Sequence, residues 1–154
     1  MTTQKTSFVY VTYIASTPEK VFEAITKPEI CRQYWGHENV SDWTPGSDWS
    51  HVRDNDERPT EIVGKVMEVA APNRLVITWA GASSADNPDA YSRVTFEIEP
   101  HAKGTRLSVS HEDLEHGSGM ANGVSKGWPL VLSSLKSYLE TGTGFDLSGR
   151  AKSA

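Results

Sequence analysis

The chain has 154 residues, with 20 acidic and 15 basic side chains and a formal net charge of −5 at pH 7. That balance excludes the broad basic face of a nucleic-acid surface, the one mildly basic cluster being Arg150 to Lys152. Hydrophobic residues at 37% and charged residues at 23% describe an ordinary one-domain globule without an apolar run of membrane-spanning length, and Met1 to Ser7 is too polar for a signal core, so a cytoplasmic protein is expected. Cys31 stands alone, which excludes an internal disulfide and predicts a small buried hydrophobe on a short helix.

Residues 8–14 are β-branched and aromatic and predict a strand. Alternation places Phe8, Tyr10, Thr12 and Ile14 on one face and Val9, Val11 and Tyr13 on the other, and the apolar content of both predicts cover on both sides. Thr17-Pro18-Glu19 reads as a helix start, with Thr17 capping, proline at the first helical position and Glu19 facing the positive end of the helix. Val21, Phe22 and Ile25 form its apolar stripe. Pro28 breaks this helix and restarts a second, in which Ile30 and Tyr34 lie one turn apart before Gly36 ends the pair.

Three hairpins follow. Residues 40–43 and 48–53 flank the turn Thr44-Pro45-Gly46-Ser47, residues 62–70 and 74–79 flank Ala71-Pro72-Asn73, and residues 91–99 and 105–111 flank Pro100 to Gly104. The segments 54–58 and 81–89 read as solvated loops. In the last hairpin Val94, Phe96, Ile98, Leu107, Val109 and His111 share one face against a polar opposite face, the pattern of an antiparallel sheet with one wet side. Then the period changes: Trp128, Val131, Leu132, Leu135 and Leu139 recur at helical spacing. This helix starts either near Met120, with Pro129 inside it, or at Gly127, with Pro129 in its first turn; Thr141-Gly142 ends it and a frayed polar tail follows.

Together these elements predict an α+β domain in which one curved antiparallel sheet is covered by the long C-terminal helix, with two short helices after the first strand. A sheet wrapped around a single helix leaves room that side chains do not readily fill, so a cavity is expected.

The stretch Tyr13 to Thr26 followed by Trp35 resembles the opening of the family named after activators of heat-shock-protein-ninety ATPase, within the START-like, birch-pollen-allergen-like (SRPBCC) superfamily. Gly64 to Glu68, Pro72 to Leu75 and Trp79 are similar to its central hairpin, and Gly104 to Leu107, His111, Gly127-Trp128 and Leu135 to Glu140 to its close. The resemblance implies a helix-grip fold, a single START-like domain over residues 8–141 with flexible termini at 1–7 and 142–154. It also implies a hydrophobic small molecule as ligand, with a polyketide cyclase-like or hydrolase-like enzyme as an alternative. The family's eponymous members are co-chaperones that carry a further N-terminal domain, for which 154 residues leave no room, so the family name alone points to a chaperone partner here.

The expected ligand-binding residues are Phe22, Trp35, Trp79, Phe96, His111, Trp128, Leu132 and Leu135. Trp79 and Trp128 read equally as core or as pocket wall. Trp43 and Trp49 flank a turn and read as an entrance lip or an interaction patch; monomer and homodimer both stay open, with such a patch as a route to the second. His111 reads as a satisfied core group or as a polar anchor for a ligand, and it is the one acid or base argued for catalysis. His111 and His116 are five residues apart, off the spacing of a helical zinc site, and no metal or cofactor is expected. Asp42, Asp48, His51, Arg53, Asp54 and Asp56 read as a solvated charged hairpin. No catalytic residue is assigned, because no nucleophile elbow, phosphate loop or dinucleotide fingerprint is present.

Overall fold

The computed structural model describes residues 4–147. Among the described residues seven strands and three α-helices follow the chain as β1 (Lys5–Ile14), α1 (Pro18–Thr26), α2 (Pro28–Tyr34), β2 (His37–Ser41), β3 (Asp48–Arg53), β4 (Thr60–Ala70), β5 (Arg74–Gly81), β6 (Ser92–His101), β7 (Gly104–Glu115) and α3 (Gly119–Thr141), with two single 3-10 turns, Ala82–Ser84 and Pro88–Ala90, in the loop between β5 and β6. The strands form one antiparallel sheet in the order β1-β7-β6-β5-β4-β3-β2, so every sequential neighbour from β2 onward is a hairpin and only β1 joins from across the chain. Register shifts in the β1–β7, β3–β4 and β4–β5 pairings mark bulges, which bend strands and sharpen twist. The concave face holds the core and α3 lies against it, which is the helix-grip arrangement expected. Among the described residues no helix is long and apolar enough to cross a membrane.

Local chemistry accounts for the element ends. The Thr17 hydroxyl accepts from the Lys20 N–H at 3.2 Å, closing the first turn of α1. The Ser118 hydroxyl accepts from the Ala121 N–H at 3.0 Å, so α3 starts at Gly119 and runs through Pro129. The earlier of the two expected starts is therefore the real one. Gly142, at φ +87°, ends α3 in the left-handed conformation that glycine adopts without steric cost. β7 continues past His111 to Glu115, because Lys5 and Thr6 of β1 pair with Glu115 and Leu114.

Two expectations at the margins change. Val9, Val11 and Tyr13 are exposed, since among the described residues no layer covers the outer face of β1. β1 begins at Lys5, and the tail does not fray at once: the Phe145 N–H donates to Ser134 Oγ at 2.8 Å, and Gly144 packs so tightly on α2 that a Cβ would meet Tyr34. The frayed ends expected at residues 1–3 and 148–154 lie outside the described residues.

Candidate functional site

The apolar stripe of α3 changes character along its length. From Val131 to Leu135 it fills the core, with Leu132 and Leu135 fully buried. Toward its start, Gly119, Gly123 and Gly127 follow one another at intervals of four and bring no side chain to the sheet. There a cavity of about 430 Å³ opens, within the size range of small-molecule sites. Its floor is aromatic: Trp35 from the end of α2, Trp79 from β5 and Trp128 from α3, the Trp128 ring centroid lying 5.7 Å from that of Trp35 and 5.5 Å from that of Trp79. Met120, Val124 and Val131 complete the α3 side, with the Trp79 indole N–H directed at Met120 Sδ at 3.4 Å, and His37 from β2 with Glu61 and Ile62 from β4 forms the rim.

One polar side chain reaches the floor. His51 on β3 is 5% exposed and lies between Trp35, 4.7 Å away, and Trp79, 5.7 Å away. Its protonation pattern follows from its neighbours. Asn39 Nδ2 donates to the Ile25 carbonyl at 2.9 Å, which turns Asn39 Oδ1 toward His51 Nδ1 at 2.7 Å. The carboxamide oxygen only accepts, so Nδ1 carries the hydrogen. Burial pushes the His51 pKa well below the ordinary 6.5, and the charges of His37 and Arg53 add to this, so the ring is neutral and Nε2 presents a bare lone pair. Among the described residues that atom has no hydrogen-bond partner. Among the described residues no fully enclosed side-chain nitrogen or oxygen lacks one, so Nε2 opens on accessible space, and the space its ring lines is the cavity.

At the rim, His37 stacks on His51 with centroids 4.2 Å apart and planes within 6°. His37 Nε2 bonds Glu61 Oε1 at 2.5 Å, and Arg53 Nε donates to Glu61 Oε2 at 2.8 Å. Burial works to raise the Glu61 pKa, but the hydrogen bonds and charges of Arg53 and His37 prevail and hold it below the usual carboxylate value. The rim is thus a closed His37–Glu61–Arg53 network, with His51 the one unsatisfied member beneath it. Among the described residues no group of three or more His, Cys, Asp or Glu is arranged to hold a metal ion.

Of the expected ligand-binding residues, Trp35, Trp79 and Trp128 meet at this cavity. Phe22, Phe96, His111, Leu132 and Leu135 are not on its walls. Phe22 packs partly buried against the core; Phe96 meets Trp128 edge-on at 5.8 Å from the core side; Leu132 and Leu135 sit one and two turns further along α3, where the sheet closes on it. His111 is sealed in a relay. The Trp128 N–H donates to Nδ1 at 3.0 Å, so Nε2 carries the hydrogen and donates to Ser92 Oγ at 2.7 Å, and Ser92 donates to the Trp79 carbonyl at 3.1 Å. Every polar atom in that chain is used. Trp49 is a core residue rather than an exposed lip: its N–H reaches the Thr78 carbonyl at 2.7 Å, across a Gly64 whose Cβ would run into both groups. Trp43 is half-buried and its N–H donates to the Thr26 carbonyl at 2.9 Å, so neither ring is a free dimer patch. His51, read with the solvated hairpin, faces inward instead; its place two residues after Trp49 on the same face was the available signal.

Residues 15–140 match the profile of a family described as Activator of Hsp90 ATPase homolog 1-like protein. No functionally curated protein matches the chain. The structure is similar to the solution structure of the Aha1 dimer from Colwellia psychrerythraea, with a TM-score of 0.75 at 20% identity over 90% of this chain and 99% of that one. It is also similar to CalU16 from Micromonospora echinospora, with a TM-score of 0.68 at 20% identity over 88% and 77% of the two chains. Protein MLL2253 from Mesorhizobium loti aligns with a TM-score of 0.71 at 24% identity over 87% and 96%.

Proposed function

The chain belongs to the Activator of Hsp90 ATPase homolog 1-like family, with the START-like helix-grip fold, and we propose that it binds a small apolar or amphipathic molecule in the cavity beside the first half of α3. The observation that carries this reading is the contrast along one helix. Where α3 is rich in leucine the core is filled, and where it is rich in glycine an aromatic-floored space is left open. Trp35, Trp79 and Trp128 are 3 to 7% exposed, so each shows the cavity only part of its ring, and an apolar ligand would cover that remainder.

Amide chemical-shift titration with a panel of lipids, flavonoids and aromatic polyketides tests the reading. Binding is expected to shift the amides around Trp35, His51, Trp79 and Trp128. A panel without any such response refutes it. Native mass spectrometry of freshly purified protein supplies the second readout, a co-purified mass that solvent extraction removes.

Acid–base catalysis on a bound molecule is favoured by one observation, the free lone pair of His51, and not by His111, whose two ring nitrogens are both engaged. Chaperone ATPase activation rests on family membership; unchanged ATP turnover of a purified chaperone at saturating protein would eliminate it.

A further inference from the structure

Two independent features of the cavity constrain what fits it. The first is the row Gly119, Gly123 and Gly127. Gly123 and Gly127 sit inside a 23-residue helix, where glycine is the poorest helix former short of proline. None of the three is needed for packing or for a left-handed turn: a Cβ at each would meet nothing within 4 Å, and none has a positive φ. What they share is their place on the cavity wall. The second is the unpartnered Nε2 of His51, on a side chain 5% exposed and held by Asn39 in the tautomer that can only accept there.

We infer that the cavity takes a flat, neutral molecule that lays one face against the bare backbone of Gly119, Gly123 and Gly127 and donates a hydrogen bond from a hydroxyl or N–H to Nε2 of His51. This rests on the ligand-binding reading and narrows it. A glycine row lets a ring approach helix backbone more closely than any side chain would permit. An acceptor-only nitrogen in an apolar floor rewards a donor and penalises a ligand that brings only acceptors, because two lone pairs then face each other without water. A carboxylate brings only acceptors to that lone pair and meets the same penalty. The class selected is that of neutral phenols, enols and N–H heterocycles; fatty acids fall outside it.

Calorimetric and amide-shift titrations with β-naphthol, its methyl ether, naphthoate and decanol test this. The naphthol is expected to bind about tenfold more tightly than the ether, which keeps the ring and loses only the donor, with naphthoate weaker than both. Gly123→Ala is expected to raise the melting temperature and to weaken naphthol binding about tenfold, a pairing that damage to the fold would not produce. Equal affinities for naphthol and ether at the cavity overturn the donor requirement and leave the ligand-binding reading standing. Binding of decanol alone, or a Gly123→Ala variant that is stabilised yet binds the naphthol unchanged, overturns the flat-ring wall. If no probe shifts amides near Trp79 and Trp128, this inference falls; if the wider panel is silent as well, so does the reading beneath it.

Discussion

The sealed relay around His111 makes folding sensitive to acid in a way that can be worked out in advance. Burial lowers the His111 pKa from the ordinary 6.5 to about 4. Protonating Nδ1 would cost the bond from the Trp128 N–H, the one donor aimed at it. Between those two values the unfolded chain binds a proton that the folded chain refuses, so stability is complete above pH 6.5 and declines as the pH falls toward about 4. At roughly 1.4 kcal/mol for each pH unit, the gap amounts to about 3 kcal/mol, of which about 2–3 is lost between about pH 7.5 and about pH 4.5. Carboxylates and His51 titrate over part of the same range, so the wild-type curve alone does not isolate this contribution. His111→Gln does, because it keeps a polar group in place and removes the titration. Denaturant unfolding of both proteins at the two pH values gives the comparison. The variant is expected to be about 1–3 kcal/mol less stable near neutrality, through imperfect bonds to Trp128 and Ser92, and to close that gap or reverse it in acid. A difference between the two proteins that stays constant within about 0.5 kcal/mol across the range would refute the argument, whatever the shape of either curve.

Three further outcomes follow from particular contacts. Gly123→Ala is expected to stabilise the fold by about 1 kcal/mol, read as a melting temperature several degrees higher, because an exposed helix-interior glycine is replaced with nothing in the way; an unchanged or lower value would count against the open wall. Gly64→Ala is expected to cost more than about 2 kcal/mol or prevent folding, since its Cβ would collide with the Thr78 carbonyl and the Trp49 indole that reaches over it, and near-wild-type stability would show that β4 and β5 separate readily there. Cys31, fully buried, with its thiol directed at the Ala24 and Ile25 carbonyls and its pKa pushed up to about 12 by burial, is expected to resist thiol reagents at mildly alkaline pH until the chain unfolds; labelling faster than global unfolding would contradict that burial.

The fold was legible because its elements carry strong period and stop signals. The inner faces of β6 and β7, the proline-started helices and the helical spacing from Trp128 onward each specify one arrangement. The failures have physical causes. The outer face of β1 is apolar yet uncovered, because nothing in a strand's alternation tells whether a layer exists to cover it. The start of α3 was ambiguous because three glycines lower helix propensity where the helix in fact runs, the cap at Ser118 deciding the matter. Those residues look like a weak helix end in sequence and like a wall in space. The tryptophan floor was readable from residue type, but Leu132 and Leu135 were assigned to the cavity on the same stripe that fills the core. One stripe holds both roles, and only the position where the sheet closes on α3 separates them.

The two buried histidines differ in how completely the fold uses them. His51 and His111 both lie on inner faces, both touch Trp79, and both are held neutral by burial. Burial and pKa direction therefore do not distinguish them. Hydrogen-bond bookkeeping does. His111 has a donor for its lone pair and an acceptor for its N–H, so the relay from Trp128 to Trp79 is complete without anything added. His51 has an acceptor for its N–H and no donor for its lone pair, beside a glycine row that forgoes helix stability to stay bare. A half-used imidazole and an unfilled wall are each destabilising in isolation. They coincide at one cavity, so one molecule bearing a flat face and a hydrogen-bond donor would compensate both. His111, the histidine singled out in the sequence, is fully bonded within the fold, while the open lone pair belongs to His51, inside a hairpin that its charged neighbours had made look ordinary.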